Sequence, residues 1–283
     1  MRLSVIIPTR NRAHLWRAGW ATDTLRRQTD PPDELVVACD NPDDDTIDAV
    51  TESTRSMPFP VRVLDLVAGR PGPNPASAVP DNCLFHAAQG DVILHLDDDL
   101  AVHPDLCRRI RALLDSLPRA IIYPHLRFVD EKHQPLTDHD SNDCRLDISI
   151  KRRWPTLPGG LRQLPSERVL HWGVAWAVPR RELLAIGGHC LALAQFHNAD
   201  TRLGSRLVKS GCSSFLGVTP ELTIEHLGPT WFAKHKHDQA AIRASQGPYT
   251  GPTIANGGPA FWNSDWIRSA YHELDIPKTV ITI

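Results

Sequence analysis

The chain contains no stretch approaching the roughly 18 unbroken apolar residues of a membrane-spanning helix. Its first apolar run, Leu3 to Ile7, is stopped at once by Pro8 and is too short for the core of a secretory leader. Positive charge is not in excess either. The 31 Lys and Arg stand against 33 Asp and Glu, and a formal net charge of −2 leaves no global field to hold a nucleic-acid backbone or an anionic membrane. Six cysteines (Cys39, Cys83, Cys107, Cys144, Cys190 and Cys212) are scattered without any C-x-x-C pair. In 283 residues that argues against a disulfide frame or a zinc knuckle and for reduced thiols, so the expected compartment is the cytoplasm, with contact at the inner membrane face left open. The 17 glycines and 24 prolines are too few for a low-complexity chain, although the prolines foretell many ordered loops. There is no internal repeat, no G-x-G-x-x-G and no Lys-Ser/Thr phosphate loop, which removes the dinucleotide and P-loop readings.

What is present is the composition of a globular protein, with 41% apolar and 23% charged residues, enough for one large or two small domains. The first hundred residues alternate short β-branched runs with helical patterns. Leu3–Ile7, Leu35–Cys39, Val61–Leu64 and Val92–Leu96 read as strands; between them lie an amphipathic stretch from Leu15 to Leu25, a short helix from Ile47 and another around Cys83 to Ala88. This β-α-β-α-β-α-β grammar predicts a mostly parallel sheet covered by helices on both faces. Polar residues follow the strands at their carboxyl ends, Thr9-Arg10-Asn11, Asp40-Asn41 and Asp97-Asp98-Asp99, and that edge is where open α/β sheets bind ligands. Further on, a helix around Leu106 to Leu117, a strand at Ile121–Tyr123, a strand-like run from Val169 to Val178 and helices at Arg181–Ile186 and Asp200–Lys209 are expected. Residues 130 to 160 form a long polar, proline-punctuated connection, and two helical patterns, Phe232–Ser245 and Phe261–Leu274, close the chain.

Asp97-Asp98-Asp99 is the sharpest signal, because it sits at the end of a hydrophobic strand. Two carboxylates 4 Å apart repel by about 4 kcal/mol at an effective dielectric near 20, so the cluster calls for a cation. Hard oxygen ligands favour Mg²⁺ or Mn²⁺, which take their remaining ligands from phosphate-bearing substrates. The plain alternative is a solvated loop before the helix that begins near Pro104. Asp40, after the second strand, has the chemistry to accept a hydrogen bond from a base or ribose, or to serve ordinary turn and cap roles. The run Gly69 to Asn74 allows backbone to approach a ligand closely.

Taken in order, four segments resemble family 2 glycosyltransferases of the A-type fold: Ser4 to Arg12, Val36 to Thr46, Gly90 to Asp99, and Arg180 to Gly188 followed by Ala199 to Leu207. The resemblance spans about residues 3 to 228. It implies a transferase domain over 1–229, with a nucleotide-binding half at 1–100 and an acceptor half at 101–229, then a C-terminal helical extension at 230–283. It further implies that Pro8, Thr9, Arg10, Arg12, Asp40, Asn74, Asp97 and Asp98 bind the donor nucleotide, and that Asp99 and His226 hold Mg²⁺ or Mn²⁺. Asp200 falls on the base that deprotonates the acceptor, and Gly187, Gly188 and Trp172 fall on the acceptor side. The implied reaction moves a sugar, with inversion, from a nucleoside diphosphate sugar to a hydroxyl or an amine. A uridine donor is favoured, with thymidine and guanosine donors as alternatives, and no nucleic acid is involved. Three positions depart from the pattern. Ala199 replaces a glutamate before the base, Pro80-Asp81-Asn82 replaces a segment with a basic residue, and His189-Cys190 replaces an acidic pair. The rival readings are a nucleotidyltransferase and a catalytically silent sugar-nucleotide binding protein.

Overall fold

Every side chain of the segment Glu34–Asp40 is buried, and so are all but Pro8 in Leu3–Thr9. Strands closed to water on both faces belong in the middle of a parallel sheet covered by helices. The computed structural model describes residues 1–40, 44–66, 78–130, 132–135, 155–164, 174–189, 199–227 and 280–282. The chain runs β1 (Leu3–Thr9), α1 (Ala13–Ala18), α2 (Trp20–Arg26), β2 (Glu34–Asp40), α3 (Asp44–Thr54), β3 (Val61–Leu66), α4 (Ala78–Ala87) and β4 (Val92–Leu96). It continues through β5 (Leu100–Val102), α5 (Leu106–Ser116), β6 (Ala120–Tyr123), β7 (His125–Val129), β8 (Leu161–Gln163), β9 (Ala175–Pro179), α6 (Arg180–Ile186) and α7 (Ala199–Lys209). β10 (Ser213–Gly217), a 3₁₀ turn at Pro220–Leu222, β11 (Thr223–Leu227) and β12 (Val280–Thr282) complete the described elements.

Among the described residues the main sheet has nine strands in the order β12-β3-β2-β1-β4-β9-β6-β10-β8, and β3, β2, β1 and β4 are mutually parallel. The chain steps outward from β1 to β3 and then returns to place β4 on the other side of β1. The crevice outside the carboxyl ends of β1 and β4 is therefore a topological switch point, the place where such sheets bind ligands. A second sheet, β5-β11-β7, leaves the main one directly after the acidic triplet, and β11 pairs antiparallel with β5 in the register His226↔Leu100. That register brings a histidine from far along the chain to the residues that follow β4.

The core is continuous from Leu3 to Ile224 and includes Trp176, Tyr123 and Phe85 as fully buried large side chains. Each fully buried Leu, Ile or Val contributes roughly 1.5 to 3 kcal/mol relative to an exposed one. The amphipathic stretch expected from Leu15 to Leu25 is two helices, because Gly19 adopts φ +75° and ends α1 while starting α2. The C-terminal helical patterns at 232–245 and 261–274 lie outside the described residues; the last described residues form a strand, β12, antiparallel to β3. Among the described residues no helix is long and apolar enough to cross a membrane.

Candidate active site

The carboxyl ends of β1, β2 and β4 carry Thr9, Asp40 and the acidic triplet to one rim of the sheet. Asp98 and Asp99 are buried, whereas Asp97 is partly exposed. Both oxygens of Asp98 are engaged: Oδ2 accepts a 2.5 Å hydrogen bond from the Thr9 hydroxyl and Oδ1 a 2.7 Å bond from Arg12 Nη1. Trp16 Nε1 donates in turn to Thr9 Oγ1 at 2.9 Å, so the hydroxyl is fixed from both sides. Arg12 Nη1 also reaches Asp99 Oδ2 at 3.2 Å. One guanidinium thus bridges two of the three carboxylates, as expected where like charges are gathered out of water.

The other oxygen of Asp99, Oδ1, is buried and has no hydrogen-bond partner. His226 Nε2 lies 3.7 Å from it, beyond hydrogen-bond length, while His226 Nδ1 sits 2.8 Å from the Leu227 carbonyl oxygen. The backbone contact sets the ring: Nδ1 donates to that carbonyl, which turns Nε2 toward Asp99. A hard oxygen and a basic nitrogen face a common gap. Among the described residues no group of three His, Cys, Asp or Glu side chains forms a closed metal cage. The pair suits an ion that completes its shell with water and substrate, which is how Mg²⁺ and Mn²⁺ are held beside phosphates.

The electrostatics point the same way. Burial, then the charges of Asp99 and Asp98, push the Asp97 carboxyl well above the usual range. Burial does the same to Asp98, opposed chiefly by Arg12. The Arg12 guanidinium is held even more firmly protonated, mainly by Asp98. A rim that resists its own negative charge gains most from an added cation.

The structure brings Thr9, Arg12, Asp97, Asp98, Asp99 and His226 together, with Pro8 in the strand that leads to them. Asp40 lies one strand away, 3.7 Å from Arg10 Nη1, so these two expected nucleotide contacts form a pair of their own. Gly187 and Gly188 close α6 in left-handed conformations with φ +74° and +67°. Asp200 lies in the first turn of α7, and only its backbone is described; Asn74 and Trp172 lie outside the described residues. Two participants were missed from sequence. Trp16 carries a signal only in being an aromatic seven residues beyond Thr9, and His95 only in being a polar residue at an otherwise apolar strand position.

A large, mostly parallel sheet flanked by helices, with an acidic rim at its switch point, is the layout of the A-type glycosyltransferase fold. The family described as glycosyl transferase family 2 matches residues 4–174, and the chain belongs to it. Among solved structures, S. aureus TarS is similar with a TM-score of 0.54 and 16% identity over 77% of this chain and 37% of that one. The TarS fragment 1–349 gives 0.55 and 15% over 88% of this chain and 67% of that one. The mannosyltransferase PcManGT from Pyrobaculum calidifontis, solved with GDP-Man and Mn²⁺, gives 0.56 and 19% over 97% of this chain and 70% of that one. At these identities the likeness is one of fold, and the chain spans little more than a third of the full TarS structure. No curated protein matches the chain.

Proposed function

We propose that the protein transfers a sugar from a nucleoside diphosphate sugar to a hydroxyl acceptor, or to an amine, with inversion at the anomeric carbon and with Mg²⁺ or Mn²⁺. The observation that carries this reading is the buried Asp99 Oδ1, which has no hydrogen-bond partner and lies 3.7 Å from His226 Nε2 at the switch point of the sheet. When bound, a divalent ion there supplies positive charge to the departing diphosphate. The chain's own groups do the rest. Arg12 holds Asp98 and Asp99 in place and Thr9 and Trp16 brace Asp98, while the partly exposed Asp97 accepts from a ribose hydroxyl in this reading. In this reading Asp40, which lies beside Arg10, accepts from a base edge. Asp200, in the first turn of α7, takes the proton of the acceptor as its oxygen attacks. A single in-line displacement of this kind inverts the anomeric centre.

The nucleotide is favoured as uridine, with thymidine and guanosine as alternatives. The PcManGT complex with GDP-Man and Mn²⁺ supports a nucleotide-sugar donor and a divalent ion without choosing the base. A panel of uridine, thymidine and guanosine diphosphate sugars with Mn²⁺ tests the reading through the product released. Nucleoside diphosphate is expected; sugar 1-phosphate released as the nucleotidyl group is transferred points instead to a nucleotidyltransferase, and neither product to a silent binding protein. In the active combination Asp200→Asn is expected to lower turnover by roughly 10² to 10⁴, the usual worth of a positioned base, with donor binding nearly intact. Turnover within twofold of the native enzyme refutes the assignment of the base.

A further inference from the structure

Two of the segments that depart from the family pattern, around Asp81 and around His189, meet in space. Asp81 follows Pro80 in the first turn of α4, where proline is tolerated because its missing N–H has no partner to lose. Its carboxylate is buried between two imidazoles: His95 Nε2 faces Oδ1 and His189 Nε2 faces Oδ2, each at 3.1 Å. All three residues are at most 2% exposed. Trp176 stacks on His95 with ring centroids 4.9 Å apart and planes 7° from parallel, and Phe85 stacks on His189 at 5.7 Å and 20°. The aromatic faces thus fix both imidazole planes. Burial pushes the Asp81 carboxyl up, but the two histidines outweigh it and hold the group well below the usual range.

Stability alone does not account for such a cluster, since well-packed apolar side chains in its place are often as stable or more so. What a buried polar cluster supplies is a fixed geometry, and here it lies between the two halves of the site. His95 is in β4, two residues before Asp97. His189 follows the Gly187-Gly188 turn, which Asn82 grips from α4: Asn82 Nδ2 donates to the His189 carbonyl at 3.0 Å and His189 N donates to Asn82 Oδ1 at 2.7 Å. Gly188 has φ +67°, and a Cβ there would stand 2.2 Å from Asn82 Oδ1, so the turn is pressed against α4. From the far side Arg206 of α7 donates to the Gly188 carbonyl at 2.7 Å and to the Ile186 carbonyl. α7 is the helix whose first turn carries Asp200. The connection runs from the acidic rim along β4 to His95, through Asp81 to His189 and the Gly187-Gly188 turn before it, and from that turn through Arg206 to the helix of the proposed base.

We propose that Asp81 and its two histidines form a strut that sets the distance between the acidic rim and the Asp200 helix, making Asp81 a positioning residue for the transfer step. The inference rests on the transfer reading above. A misplacement of about 1 Å at a reacting centre costs about 10² in rate, so loosening the strut acts on turnover and leaves donor affinity alone.

The test uses the full chain with the donor found active in the panel and Mn²⁺. Asp81→Asn keeps the shape of the side chain and removes its charge; Arg206→Lys keeps the charge and loses the paired contacts to the turn. For each, kcat is read from nucleoside diphosphate release, and donor affinity from calorimetry. A fall in kcat of at least tenfold with donor Kd within twofold of the native value is expected for both. Native kcat in both, or donor affinity falling in parallel with kcat, overturns the strut. If Asp81→Asn loses its cooperative melt, Arg206→Lys carries the same decision, because its side chain contacts the turn from outside the buried cluster. A native protein that releases no nucleoside diphosphate from any donor counts against the transfer reading itself, and the strut falls with it.

Discussion

At the scale of single residues, a carboxylate can brace the fold or receive a ligand, and the partners of each oxygen separate the two. Asp98 braces: Thr9 and Arg12 occupy both of its oxygens. Asp99 has one oxygen held by Arg12 and one without a hydrogen-bond partner, facing His226. Asp99→Ala is therefore expected to abolish Mn²⁺-dependent donor binding in calorimetry while leaving any metal-independent affinity unchanged; unchanged Mn²⁺-dependent affinity would place the ion elsewhere. Glu34 is the contrasting case, a brace far from the rim. Its Oε1 accepts from Ser4 Oγ at 2.6 Å and from Gln89 N at 2.5 Å, and its Oε2 accepts from Arg62 at 2.5 Å. Burial raises its pKa, but these bonds more than offset that and hold the carboxyl below the usual range. A depressed carboxyl pKa contributes stability that is complete above the unfolded value of about 4.3 and lost as pH falls through the folded value. Glu34→Gln should thus cost about 1 to 3 kcal/mol at pH 7, the worth of hydrogen bonds to a charged group. In urea melts the gap between variant and native protein should narrow as the pH drops below about 4. A gap of constant size across that range would show that the charge of Glu34 adds nothing.

At the scale of elements, legibility followed the range of the interaction that makes each element. β1, β2, β3 and β4 were readable because each is a short run rich in apolar residues and bounded by polar ones, and the α-helices between them because their apolar spacing is local. The break at Gly19 was present in the letters as a glycine inside an amphipathic run, yet the apolar pattern continues across it, so spacing alone joins α1 to α2. The short strands β5, β7 and β8 were not readable. Each has three to five residues with few apolar neighbours, and each exists because a distant partner pairs with it: β5 and β7 through β11, β8 through β10. The site divides in the same way. Asp97-Asp98-Asp99, Thr9 and Asp40 follow from strand ends and were legible. The division of labour inside the triplet was not, because it depends on where Arg12 and Trp16 reach, and the junction of Asp81, His95 and His189 joins three segments that have no sequence periodicity in common.

At the scale of the whole molecule, the outer edge of the main sheet at β3 is covered by β12. β3 would otherwise present an open row of backbone donors and acceptors, with Val61, Val63, Leu64 and Leu66 buried along it. β12 pairs antiparallel with this strand through Val280↔Leu64, Ile281↔Val63 and Thr282↔Arg62. The pairing spans more than two hundred positions of sequence, which is why a three-residue strand there could not be read from local pattern. An open, apolar edge is a template for association with another chain. Truncation that removes residues 280–283 is therefore expected to lower the melting temperature and to produce concentration-dependent association, seen by light scattering after gel filtration. The acidic rim lies at β1 and β4, on the far side of β2 from this edge, so at low concentration the truncated protein should keep its Mn²⁺-dependent donor affinity. Unchanged melting and a single native-sized species at high concentration would mean that β12 does not protect the sheet. Loss of donor affinity in a still-folded, dilute monomer would mean that the edge and the rim are coupled through β2, which the separation of the strands argues against.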